Sequence, residues 1–520
     1  MSFSKVYSGQ SDLVGATIID IEADLSRGLY AFSVVGLPDK AVEEARDRVG
    51  AAIKNSGYDS PKSKNHKIVI SLAPADIKKE GPAFDLPIAL SYLLSAGEIV
   101  FNPEKKMFLG ELALDGKLRS INGVLPIVRE AKRKGFKEIF VPKANAAEAA
   151  LVKGVAVFGA TSLKEVIEHI SEGDKDEVEK MKERRKITAT KETKIENAAH
   201  EHSVDFADIK GQGHAKRALE IAAAGGHNIL MWGPPGTGKT MLAKAFAGIL
   251  PALSYEEILE ATSIHSTAGA LKDTIITEPP FRSPHHTSSY VSIVGGGAHI
   301  RPGEITMAHK GVLFLDEFPE FDRRVVESLR EPLEERMIKV SRAKGTATFP
   351  ADFILIAAMN PCPCGNFGSD KKRCICGPLQ IQKYQRKISG PIMDRIDIWI
   401  EVGSIEHSVL DDGTAGEPSK AIRKRVEEAR AIQEKRFEKF GEKSKKNSQI
   451  KAKNIKAMSA LEKDAASLLV SSAEKLSLSP RAYHRVIRLA RTIADLEKSE
   501  SVKTSHILEA LQYRQKREVS

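Results

Sequence analysis

Gly233-Pro-Pro-Gly-Thr-Gly-Lys-Thr240 follows the apolar run Asn228–Trp232 and precedes the helix-forming stretch Met241–Ala247. A glycine-rich turn between a buried strand and a helix N-terminus directs backbone N–H groups inward, where they cradle phosphate oxygens. Gly233, Pro234, Pro235, Gly236, Thr237 and Gly238 would form the cradle, and Lys239 would set a cation against the β and γ oxygens. The Thr240 hydroxyl can ligate Mg2+. The octet and its flanks predict an α/β fold that takes ATP with Mg2+.

The strand-like run Gly311–Leu315 ends in Asp316-Glu317. Carboxylates at the end of a buried parallel strand emerge at the carboxyl edge of the sheet, beside the phosphate loop. Asp316 would hold Mg2+ through its water shell, and Glu317 would orient and polarise the attacking water. A further apolar strand, Phe353–Met359, ends in Asn360, whose amide can complete that water's hydrogen bonding or merely cap the loop. Arg395, in Met393-Asp-Arg-Ile-Asp397, can reach a phosphate on a neighbouring subunit or pair with Asp394 or Asp397 in its own chain. Arg481 opens a helix on which Arg485, Arg488 and Arg491 follow at helical spacing, a stripe that meets phosphates or faces solvent.

The chain has 520 residues, 42% of them hydrophobic, enough for about three domains with sizeable cores. Residues 1–170 alternate short apolar runs, such as Ile68–Leu72, with amphipathic stretches, such as Asp39–Lys54 and Val124–Lys134; they form an α+β domain. Residues 171–203 are charged and poor in large apolar side chains, and are expected to be a linker. Residues 204–402 carry buried-type strands between helices, the pattern of a parallel sheet covered on both faces. Residues 403–520 read as a helical lid, with helices over 419–440, 457–475, 480–496 and 504–514. Met1–Asp20 lacks a basic segment followed by an apolar one, and no run of 18 apolar residues occurs, so a cytoplasmic protein without a membrane partner is expected. A net charge of +10 favours anionic partners or is a solvated surface.

All four cysteines fall together, as Cys362-Pro-Cys364 and Cys374-Ile-Cys376. Two facing thiolate pairs offer the soft ligands of a closed tetrahedral Zn2+ site, with reduced free thiols or another metal as alternatives. His285, His286, His299 and His309 have no compact metal spacing and are expected to hydrogen-bond within loops.

Taken together, these stretches resemble the Mg-chelatase-like AAA+ ATPases, and within them the YifB/ComM family, over nearly the full length. Besides the motifs above, Phe281-Arg-Ser-Pro-His-His-Thr287, Pro302–His309, Met359-Asn-Pro-Cys-Pro-Cys-Gly365 and Ala490–Leu496 carry the likeness. It implies that Asn360 is sensor 1, Arg395 a finger acting across subunits, and Arg481 the sensor 2 arginine that closes the lid. It also implies a homo-oligomeric ring, usually a hexamer. Phe281–Arg301 resembles the helix-2 insert of this clade, and the stretch between Val402 and Arg481 its pre-sensor 2 insertion.

Lys79–Leu90 and Gly110–Gly123 resemble the Lon proteolytic domain, akin to the ribosomal S5 fold, yet Ala83 stands at the serine position and Leu125 at the lysine position. With neither nucleophile nor base, acyl-enzyme chemistry has no starting point, and no peptidase activity is expected. A similar inactive domain in the RadA ATPase suggests ring assembly or nucleic-acid contact instead. Arg46, Arg48 and Lys54 on one helix touch phosphates or form a solvated face. The family implies a DNA motor that drives branch migration of transforming DNA; the rival is a chelatase-type ring that remodels a protein partner.

Overall fold

A computed structural model describes residues 3–12, 15–171, 186–195, 204–271, 275–297, 301–342, 345–368, 372–404, 416–442 and 444–514. Of the linker expected at 171–203, residues 186–195 carry neither helix nor strand, and most of the remainder lies outside the described residues, as does His299. The chain forms two compact units: residues 1–196 with 255–276, and residues 197–254 with 277–520.

The first unit has a four-stranded sheet in the order Phe3–Ser11, Ala16–Arg27, His66–Ala73, Ala31–Val35. Its strands obey the two-residue repeat of a sheet with one covered face: Ile19, Ile21, Ala23 and Leu25 are buried while their neighbours are not. Helices Lys40–Asn55 and Asp85–Ser95 cover that face; Asp39 caps the first by accepting from Val42 N at 2.9 Å. A parallel sheet of Lys106–Phe108, Glu138–Pro142 and Ala156–Ala160 completes the unit. The helix Tyr255–Thr267, inside the span expected to be nucleotide domain, joins this unit: Leu259 is buried with Leu125, Val128 and Leu151. Tyr255 Oη donates to Leu151 O at 2.7 Å, and Ser266 Oγ accepts from Gly123 N at 3.0 Å.

Apolar side chains stand at the two positions where the Lon resemblance expects a serine and a lysine. Leu125 is fully buried and Ala83 packs on the same cluster. Arg48 neither faces solvent freely nor awaits a phosphate: its Nε and Nη2 reach the buried Asp85 carboxylate at 2.8 and 3.0 Å. Burial nevertheless pushes Asp85 up to about 6, because the arginine only partly offsets desolvation.

The second unit is built on five parallel strands in the order Phe281–Arg282, Val312–Leu315, Ile354–Met359, Ile229–Trp232, Ile398–Glu401. Every residue of Ile354–Met359 and of Val312–Leu315 is buried, as strands covered on both faces require. Helices Gly213–Gly225, Ser419–Lys439, Lys463–Lys475, Pro480–Leu496 and Thr504–Gln512 pack into one apolar core with this sheet. The helix expected over 457–475 is interrupted: Ile455–Ser459 ends at Ala460 in a left-handed conformation, and Lys463 restarts it. A hairpin, Met337–Arg342 with Gly345–Pro350, had no counterpart in the sequence pattern. No helix among the described residues is long and apolar enough to cross a membrane.

Candidate functional site

Parallel pairing aligns the carboxyl ends of the strands, so the segments that follow them converge. After Ile229–Trp232 the chain enters the phosphate loop, after Val312–Leu315 it reaches Asp316 and Glu317, and after Ile354–Met359 it reaches Asn360. Gly233 is required by proximity: a Cβ there would lie 2.2 Å from Val402 O. Gly236 and Gly238 have φ of 77° and 90°, turning the loop before the helix Lys239–Ala247 begins.

Lys239 Nζ donates to Gly233 O at 2.7 Å and Pro234 O at 2.8 Å, and lies 3.3 Å from Asn360 Oδ1. The ammonium is thus held among oxygen acceptors. Burial lowers its pKa to about 8, with Asp316 opposing that shift. Thr240 Oγ1 donates to Asp316 Oδ2 at 2.7 Å, and Asp316 Oδ1 accepts from Glu317 N at 2.9 Å. A hydroxyl and a carboxylate side by side are hard oxygen donors, the set that suits Mg2+ together with substrate phosphates.

Glu317 has a left-handed backbone, φ 50°, which lifts its side chain off the strand end. Its Oε2 lies 3.1 Å from His286 Nδ1. His286 therefore does more than the loop hydrogen bonding expected for it, and its place at the end of the edge strand Phe281–Arg282 was the available signal. His285 does bond within its loop, to Thr287 Oγ1 at 2.8 Å, and His309 Nδ1 accepts from Asp352 N at 3.1 Å.

Arg395 pairs with neither Asp394 nor Asp397. Its Nη1 donates to Pro391 O at 2.6 Å and its Nη2 pairs with Glu334; Arg481 Nη2 donates to the other oxygen of the same carboxylate at 2.6 Å. Sequence reasoning overlooked Glu334. The rest of the arginine stripe turns inward onto protein groups rather than facing solvent. Arg485 donates to Ile396 O at 2.7 Å and Arg488 to Ile450 O at 2.9 Å. Arg491 is fully buried against Asp495 and the carbonyls of Ser459 and Glu500. Guanidinium forks are taken up there by backbone carbonyls.

The cysteines converge. Cys362, Cys364 and Cys374 have Sγ separations of 3.4, 3.7 and 3.6 Å, and all four sulfurs lie within 4.8 Å of one another. Zn–S bonds of about 2.3 Å in a tetrahedron set S···S at about 3.8 Å, so the donor set fits zinc in chemistry and in size. No disulfide forms. Backbone N–H groups of Phe367 and Cys376 point at Cys362 and Cys374 sulfurs, at 3.3 and 3.4 Å.

Comparison with known proteins agrees over the whole chain. Residues 205–410 match the family model described as magnesium chelatase, subunit ChlI; residues 21–145 match subunit ChlI of Mg-chelatase, and 416–514 its C-terminal part. The chain is 42% identical to competence protein ComM of Haemophilus influenzae, over 99% of this chain and 98% of that protein. It is also 42% identical to YifB of Salmonella typhimurium, covering 99% and 97%. A shorter stretch, 18% of this chain and 22% of the relative, is 34% identical to DNA repair protein RadA of Streptococcus pneumoniae.

Proposed function

The chain belongs to the YifB/ComM family of Mg-chelatase-like AAA+ proteins, and from that premise we propose that it is a ring-forming ATPase, most readily a hexamer, that remodels DNA. The observation that carries the reading is the Thr240–Asp316 hydrogen bond at 2.7 Å with Glu317 next along the chain. It supports a site in which the phosphate loop and Lys239 hold ATP. Thr240 and Asp316 would hold Mg2+, which neutralises phosphate charge when bound. Glu317 orients water for attack on the γ-phosphorus, and Asn360, 3.3 Å from Lys239 Nζ, steadies the same region. Arg395 and Arg481 supply positive charge at a pocket shared between subunits. Cys362, Cys364, Cys374 and Cys376 hold a structural Zn2+.

The front unit, packed with hydrocarbon at the dyad positions, serves as a Lon-like assembly or binding domain, and the helices after 403 serve as the lid. Similarity to a competence protein and a DNA repair protein supports DNA as the polymer, and branch migration is the work we propose for it. The three chelatase family models favour a second reading, a ring that reshapes a protein partner. ATP turnover measured with and without single-stranded and forked DNA, followed by a branch-migration assay, separates the two. Salt-dependent binding and DNA-stimulated turnover are expected. Absence of both would leave the protein-remodelling reading.

A further inference from the structure

We infer that the metal-loaded cysteine knuckle is a brace for the phosphate loop, so that metal occupancy sets nucleotide affinity. This rests on the reading of residues 233–240 as the nucleotide site. The chain leaves Asn360, passes Cys362 and Cys364, returns through Cys374 and Cys376, and enters the helix Pro378–Gln385. On that helix, Tyr384 is buried. The knuckle therefore begins just past the residue whose side chain meets Lys239.

The tip leans on the loop itself. Gly365 has φ 79°, and a Cβ on it would lie 2.7 Å from Cδ of Pro235. That approach leaves no room for any side chain, and it places the turn after Cys364 directly against the second proline of the cradle. Gly365 N also donates to Cys362 O at 3.0 Å, so the turn is fixed relative to the buried first sulfur. The two cysteine arms are joined by no disulfide. A cation shared by four sulfurs is the bond that would tie them, and structural zinc sites supply folding free energy in this way. Without the ion the arms part, Gly365 is no longer pressed on Pro235, and the cradle loses the wall that holds its N–H groups convergent. A surface zinc knuckle with a purely local role would not touch the phosphate loop.

The test is made on the full chain with Mg2+ present. Mass spectrometry under native conditions is expected to show bound zinc, and titration of a fluorescent ATP analogue gives the affinity. A zinc-selective chelator should weaken that affinity at least about tenfold, and added zinc should restore it. Zinc-loaded and zinc-free protein of equal affinity would overturn the proposal, as would protein purified without zinc that binds nucleotide normally. Because stripped protein can unfold, Gly365→Ala supplies a second measure: it should keep its zinc and its circular dichroism yet bind nucleotide about tenfold more weakly. Full affinity with zinc retained would overturn the brace. Zinc-loaded wild type that binds no nucleotide would instead sink the nucleotide-site reading beneath it.

Discussion

His286 Nδ1 sits 3.1 Å from Glu317 Oε2, so the imidazole occupies one oxygen of the carboxylate that would otherwise face water alone. The two residues come from neighbouring strand ends, Phe281–Arg282 and Val312–Leu315, which pair in parallel. A movement of the His286 loop would thus be felt first at Glu317.

Replacing His286 by alanine frees the carboxylate. Basal phosphate release is expected to rise about two- to tenfold, with stimulation by DNA reduced, since the contact that holds Glu317 aside is gone. A fall in basal turnover at unchanged nucleotide affinity would show that the imidazole positions Glu317 instead.

Glu317→Gln keeps the side-chain shape but is a far weaker base. It should bind ATP as wild type does and lower turnover by about a hundredfold or more. Single-turnover phosphate release separates this from a binding defect.

Glu334 holds both Arg395 and Arg481. Partly exposed ion pairs of this kind contribute only about 0–1 kcal/mol, so a phosphate arriving from another copy can displace the carboxylate. Arg395→Ala should leave nucleotide affinity nearly intact while cutting turnover by about a hundredfold. Mixing it with Lys239→Ala should restore part of the turnover, measured by phosphate release across mixing ratios; no recovery at any ratio would place the arginine in its own subunit's site.

Lys239 carries a pKa lowered to about 8, chiefly by burial. The sign follows directly: phosphate binds the ammonium form, and that form is lost as pH rises through about 8. Nucleotide affinity should be level below that pH and fall by up to about tenfold per unit above it. Calorimetry in buffers of differing ionisation enthalpy should show proton uptake on binding above that pH and little below it.

Asp495 is buried and accepts from Arg491 Nε at 3.1 Å, Asn447 Nδ2 at 2.7 Å and Arg436 Nη1 at 2.9 Å. Removing the carboxylate leaves two guanidiniums of the helical core without the charge they pair with, a loss of about 3–5 kcal/mol. Asp495→Ala should lower the thermal midpoint markedly, while Glu428→Ala, at a partly exposed pair with Lys498, should not.

The nucleotide unit was legible because its signals are local. The apolar runs at Asn228–Trp232 and Val312–Leu315, the glycines of the cradle and the Cys-x-Cys pairs each encode geometry within a few residues, and the strands and clustered sulfurs appear where that pattern places them. What escaped depends on side chains brought together from distant parts of the chain. Glu334 resembles any charged helix residue until Arg395 and Arg481 arrive on either side of it. The arginine stripe kept its helical spacing, yet the carbonyls that absorb it, Ile396 O and Ile450 O, cannot be foreseen from periodicity. Arg48 was misjudged for the same reason: its partner Asp85 opens a different helix.

The helix Tyr255–Thr267 belongs to the front unit although its chain neighbours on both sides belong to the other. A fragment ending at residue 196 would leave out Leu259 and bare the hydrocarbon it covers on Leu125, Val128 and Leu151. Truncation therefore cannot yield a well-behaved front module; a fusion that grafts residues 255–276 back onto it is the minimum design with a closed core.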